Sequence, residues 1–155
     1  MRISKIPNIS AMAWELLRHT NPKQPTVICI PDNATGYALL ESLTVFEPSL
    51  NKYFCPALET DLIKNRGPSL FRRVERSRCL YHLSQKDPGI FLITAEALLQ
   101  KTSPLVFWGV NSLTLRKGAP IVREELLTRL REMGYLPAEL VEQPFQYATR
   151  GSIVD

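Results

Sequence analysis

The run Thr26-Val27-Ile28-Cys29-Ile30-Pro31-Asp32-Asn33 carries the architectural signal of this chain. Residues 26–30 are apolar or β-branched without polar alternation, which predicts a strand buried on both faces, as strands of parallel sheets are. Cys29 inside it reads as a small core residue. Pro31-Asp32-Asn33 ends the strand. At the C-terminal edge of an open sheet, Asp32 has two readings. It can cap the following helix through an Asx turn, or it can serve as an acceptor or metal ligand where such sheets bind ligands.

Outward from this turn, residues 34–46 predict a helix with Ala38, Leu39, Leu43 and Phe46 facing in. Upstream, Met12, Leu16 and Leu17 share one face of a short helix that Pro22 and Pro25 terminate. Downstream, residues 47–68 are irregular, with a short strand near Tyr53-Phe54. Residues 69–83 read as a helix with Leu70, Val74 and Tyr81 near one face. After Pro88-Gly89, Ile90-Phe91-Leu92-Ile93 is a second buried strand, and Thr94 is a natural N-cap for a helix over 95–101. Residues 104–115 read as strand-like in part. Strands alternating with helices predict an α/β fold with a largely parallel sheet flanked by helices.

The pattern changes at Arg116-Lys117-Gly118-Ala119-Pro120, and a domain boundary is expected near Lys117. Beyond it Val122, Leu126, Leu130 and Met133 form one helical stripe with Gly134 as its C′ residue. The terminal Phe145-Gln146-Tyr147-Ala148-Thr149-Arg150-Gly151-Ser152-Ile153-Val154-Asp155 reads as a strand broken at Gly151, by a bulge or a close backbone approach.

With 155 residues, 45% hydrophobic and 22% charged, the chain has the composition of one globular domain, or one domain and part of a second. No apolar stretch approaches the roughly 20 residues of a membrane helix. The N-terminus has no secretory signal pattern, and Cys29, Cys55 and Cys79 do not make a disulfide framework, so a cytoplasmic location is expected. A net charge of +4 permits acidic partners or nucleic acid without requiring either.

Candidate chemistry is sparse. A phosphate-binding loop needs several glycines and a lysine. The turn after the first strand has Gly36 alone, no lysine, and an acid at Asp32. No paired acids follow the second strand, so ATP hydrolysis is not expected. Cys79 and His82 form half of a zinc pattern without a second half. His19 completes no Ser-His-Asp or Cys-His set. The sequon Asn33-Ala34-Thr35 has no secretory route. No catalytic residue, cofactor or metal site is expected. The basic stretch Lys64, Arg66, Arg72, Arg73, Arg76 and Arg78, flanked by Phe71 and Tyr81, could follow a phosphate backbone or be a solvated face. Arg150 carries a planar charged fork that could pair with Glu142 or with an external acid.

The terminal motif resembles that of the bacterial transcription-repair coupling factors. Leu115-Arg116-Lys117-Gly118, residues 123–130 and Gly134-Tyr135 are similar to the family's lysine-glycine, helix and Gly-Tyr pattern. Residues 90–104 and 27–32 resemble its earlier strands. The resemblance covers about residues 11–155 and departs at Ala57-Leu58-Glu59-Thr60. It implies an N-terminal segment similar to the excision-repair protein UvrB but with a degenerate nucleotide site: residues 1–116 as the first α/β domain, 117–155 as the truncated start of a smaller α+β domain that docks on UvrA. It further implies a non-catalytic recruitment role, with the motor and the RNA-polymerase- and DNA-handling parts elsewhere in the full-length protein. Arg150 matches a family residue at the UvrA interface, with Tyr147 and Phe145 packing nearby. The alternative is a nucleic-acid-binding module using Arg66, Arg72, Arg73 and Arg76.

Overall fold

A computed structural model describes residues 8–58 and 67–155. The chain divides into two compact units, Met1–Gly109 and Val110–Asp155. The first contains α1 (Ile9–His19), β1 (Pro25–Ile30), α2 (Asn33–Phe46), β2 (Lys52–Cys55), α3 (Leu70–Ser84), β3 (Gly89–Thr94) and α4 (Ala95–Leu99). A further short helix, α5 (Leu105–Val110), follows.

The three strands form one parallel sheet in the order β1-β3-β2. The predicted parallel α/β architecture is therefore present. Every residue of the central strand β3 is buried, and its side chains divide by the period of two that a strand imposes. Ile90 and Leu92 join Ala13, Leu39, Leu43, Ile30 and Phe54 beneath α1 and α2. Phe91 and Ile93 join Tyr53, Cys55, Cys79 and Ala97 beneath α3 and α4. Two apolar layers on one sheet account for the continuous apolar runs in the sequence.

β1 departs from its expected burial on both faces. It is an edge strand whose exposure alternates, with Val27 52% exposed and Cys29 exposed as well. Only its Ile28 and Ile30 side joins the core beneath α1 and α2. Continuous apolar sequence cannot distinguish a central strand from an edge strand covered on one face. Phe46 also turns outward and packs edge-on against the exposed Trp14 at 6.0 Å. In α3 the inward residues are Arg76 and Cys79, with Leu70, Val74 and Tyr81 half-buried. Residues 105–110 are helical rather than strand-like; they begin directly after Pro104, whose carbonyl accepts the Phe107 amide at 3.0 Å.

Local signals fix several boundaries. Asn8, Asp32, Ser69 and Thr94 each accept an amide at the start of α1, α2, α3 and α4. Thr94 is fully buried, and its hydroxyl accepts the Ala97 amide at 3.1 Å. The helix it opens ends at Leu99, two residues before the expected limit.

The second unit contains α6 (Arg123–Glu132) and four two-residue strands, β4 (Leu136–Pro137), β5 (Gln146–Tyr147), β6 (Thr149–Arg150) and β7 (Ile153–Val154). α6 opens at Val122 without a side-chain cap, but Glu124 and Glu125 in its first turn suit the positive end of the helix dipole. Gly134 follows its end at φ +86, as expected for a C′ residue. β4 pairs with β5 in parallel, and β6 with β7 antiparallel.

Candidate docking surface and basic cluster

The turn after β1 holds protein groups where a phosphate would need backbone amides. Asp32 Oδ1 accepts the Thr35 amide at 2.7 Å, which holds its carboxyl below the usual carboxylate range. A negative charge therefore already sits at the N-terminus of α2. Asn33 clamps residue 57 from both sides: its Nδ2 donates to the Ala57 carbonyl at 3.3 Å, and its Oδ1 accepts the Ala57 amide at 2.9 Å. Gly36, the glycine of this turn, serves packing. A Cβ there would lie 2.5 Å from the Phe54 ring, so its absence lets α2 approach the sheet.

The basic stretch does not form one face. Arg66 lies outside the described residues. Arg72 is half-buried, beside Glu75 and Tyr37, whose hydroxyl donates to Glu75 Oε2 at 2.6 Å. Arg73 and Arg78 are exposed. Arg76, expected among the nucleic-acid contacts, is instead 6% exposed. Its Nη1 donates to the Pro56 carbonyl at 3.2 Å and reaches Cys55 Sγ at 3.7 Å. Its Nη2 donates to the carbonyls of Ala97 at 3.3 Å and Gln100 at 3.5 Å. This guanidinium ties the ends of β2 and α4 together. The helical spacing from Arg72 through Arg76 to Cys79 was the available signal that arginine lies on the inward stripe.

Cys79 is committed to the core as well. Its hydrogen bond with Cys55, together with the Arg76 charge, draws the Cys55 thiol below its ordinary pKa. The same bond and burial push Cys79 up. His82 stacks on Tyr53 at 4.3 Å and bonds Asp87 Oδ2 at 2.7 Å, so the half zinc pattern is absorbed by packing. Among the described residues no group of three potential metal ligands converges. No described helix is long and apolar enough to cross a membrane.

The C-terminal motif forms a hairpin. Thr149 pairs with Val154 and Arg150 with Ile153, leaving Gly151-Ser152 as a two-residue turn with Gly151 at φ +59. A glycine of positive φ in the first turn position matches the strand twist that tight hairpins require. A Cβ on Gly151 would meet nothing within 4 Å. The expected bulge or close approach is therefore a turn, and its requirement is φ alone. Beyond the turn, Asp155 and Ala148 exchange amide-to-carbonyl bonds of 2.9 and 3.2 Å.

The three residues assigned to docking separate by exposure. Tyr147 is buried, and its carbonyl accepts the Ala138 amide at 2.9 Å, so it anchors the hairpin. Phe145 is half-buried at φ +66 and packs edge-on against Tyr135 at 5.9 Å. Arg150 is exposed beside the turn, and its guanidinium makes no hydrogen bond or ion pair with any described residue. The expected alternative pairing of its guanidinium with the Glu142 carboxylate does not form.

Fold and surface together define an α/β protein with a parallel-sheet unit and a short hairpin unit that presents an exposed arginine. No family model matches the chain. Curated relatives do. The transcription-repair-coupling factor of Haemophilus influenzae is 27% identical over 150 residues, 97% of this chain and 13% of the relative. That of Staphylococcus aureus strain MRSA252 is 31% identical over 117 residues, 76% of this chain and 10% of the relative. That of Staphylococcus haemolyticus is 30% identical over 104 residues, 67% of this chain and 9% of the relative. The chain is a homologue of a segment of the transcription-repair-coupling factors, and it spans about a tenth of their length.

Proposed function

We propose that this chain is a non-catalytic recruitment module of a transcription-repair coupling factor, acting in the cytoplasm, and that it contributes to binding UvrA. In this reading residues 1–116 are a UvrB-like domain without a working phosphate loop, and 117–155 begin the UvrA-docking domain. The motor's contacts to DNA, the contacts to RNA polymerase, and ATP-driven movement belong to the full-length protein outside this segment. The observation that carries the reading is Arg150: an exposed guanidinium without a partner among the described residues, on a hairpin pinned by buried Tyr147. Such a fork suits a carboxylate on the partner. Asp32 at the N-terminus of α2 supports the absence of nucleotide binding at that turn.

The test is titration calorimetry against purified UvrA at moderate salt, beside the Arg150→Ala variant. Removing one partner of a buried charged contact typically costs about 2–5 kcal/mol, so binding should weaken by more than about tenfold. Unchanged affinity would remove Arg150 from the interface.

The alternative, a nucleic-acid-binding module, is favoured by the exposure of Arg73 and Arg78 and weakened by the burial of Arg76. It expects affinity that falls steeply with salt and is lost on charge reversal at Arg73.

A further inference from the structure

At the end of the sheet where β2 and β3 finish, the first unit contains an open cavity of about 350 Å³. Arg76 lines it from α3, with Arg73 and Ser77 beside it; Lys101, Ser103 and Trp108 also line it, from the segment that follows α4. Among the described residues, three cations, several hydroxyls and an indole line this space, and no carboxylate does. The C-terminal edge of an open parallel sheet is also where ligands of such folds bind.

Arg76 makes the composition informative. Its charge is buried, yet all four of its acceptors are neutral: three backbone carbonyls and a cysteine sulfur. It makes no ion pair with a described residue. A buried cation is costly unless an opposite charge compensates it. Its two terminal nitrogens are committed to the backbone, so the guanidinium is held rigidly and cannot swing out to solvent. It acts as a fixed positive floor, while Arg73, exposed and without a described partner, and Lys101 remain available to reach a ligand.

We propose that this cavity binds a phosphate group carried by a nucleotide or a nucleic-acid strand. Arg76 supplies fixed charge, Arg73 and Lys101 supply charge-assisted hydrogen bonds, and the hydroxyls of Ser77 and Ser103 add neutral donors. The Trp108 indole offers a flat apolar surface against which a base can stack. Arg150 is not among the lining residues named, and the proposal does not depend on the UvrA reading.

The two tryptophans give an internal control. Trp108 lines this cavity, and Trp14 lines a different one. The ¹⁵N-labelled chain is titrated with inorganic phosphate and, separately, with a thymidine hexanucleotide, while both indole N–H resonances are followed at constant ionic strength. The expected result is saturable movement of the Trp108 signal with a stationary Trp14 signal. The double variant Arg73→Ala/Lys101→Ala should weaken binding by about tenfold or more. Both residues are exposed, so an unchanged Trp14 signal certifies its fold. Saturation by inorganic phosphate assigns the site to small phosphates. Saturation by the oligonucleotide alone, lost in the double variant, assigns it to a nucleic-acid backbone. Failure of both ligands, equal movement with chloride, or full binding by the double variant overturns the proposal.

Discussion

In the parallel-sheet unit every residue of β3 is buried and both of its faces are covered, whereas in Val110–Asp155 burial is confined to Leu126, Tyr147 and Ala148. Ile121, Val122, Leu136, Leu140 and Ile153 of the second unit all remain exposed. The first unit is thus held by area removed from water, and the second by turn geometry and short ladders. Each two-residue ladder contributes few hydrogen bonds, and each such bond adds only about 1 kcal/mol net. The proposed docking arginine lies in the unit with the smaller core. A surface that must adapt to a partner needs less internal packing than the sheet does, and the buried anchor Tyr147 limits how far the hairpin can move.

The contrast should be most visible at Phe91, fully buried in the α3/α4 layer. Phe91→Ala should cost about 3–5 kcal/mol in urea unfolding. Leu126→Ala, the corresponding deletion in the second unit, should cost less and leave the near-ultraviolet signal of the sheet unit unchanged. Equal losses at the two sites would show that the units unfold as one.

Next in size is the difference between two arginines. Arg76→Met strips hydrogen bonds from the carbonyls of Pro56, Ala97 and Gln100, so urea unfolding should register a loss of about 1–3 kcal/mol. Arg150→Ala removes a side chain without a described partner, and the same assay should detect a change within about 0.5 kcal/mol. A large loss at Arg150 would make it a structural residue and undermine its assignment to docking.

How far these roles could be read from sequence depends on whether the signal is local. The strands at 26–30, near Tyr53-Phe54 and at 90–93, the Thr94 cap and the Asp32 turn each depend on a few adjacent residues, and they form as expected. The failures are of tertiary origin. β1 reads as a central strand, but the order β1-β3-β2 places it at an edge, a fact that no window around Cys29 contains. The basic run reads as a surface because arginine is seldom buried. Arg76 is buried because Pro56, Ala97 and Gln100, distant in sequence, bring carbonyls to it. At the C-terminal end the motif placed Arg150 on a strand beside a glycine, but the two-residue turn required knowledge of the pairing register.

Gly151 offers a gentler perturbation of the second unit. It sits at φ +59 with open space around it, so Gly151→Ala should cost about 1–2 kcal/mol from backbone conformation alone. The loss should appear as faster hydrogen exchange of the Asp155 amide, which bonds the Ala148 carbonyl across the hairpin. The β3 amides should exchange as before. Unchanged exchange at Asp155 would mean that the hairpin does not depend on its turn.

The smallest expected effect lies in the first unit and requires high pH. Burial and the hydrogen bond to Glu75 push the Tyr37 phenol up to about 12 from its ordinary 10.0. Below pH 10 the phenol is neutral in both folded and unfolded chains, and the contribution of this bond is fully present. Between pH 10 and about 12 the unfolded chain releases the proton while the folded chain retains it. Unfolding is therefore favoured progressively, and stability falls as pH rises through that window. Tyr37→Phe removes this titration, so its stability should decline less steeply over the same interval. Parallel slopes in the two proteins would mean that other groups set the alkaline limit. The variant also removes the bond that lowers Glu75, whose carboxyl burial already pushes up. Its titration, followed by NMR, should move higher still in Tyr37→Phe, whereas a fixed value would mean that the Tyr37 hydroxyl does not engage Glu75 in solution.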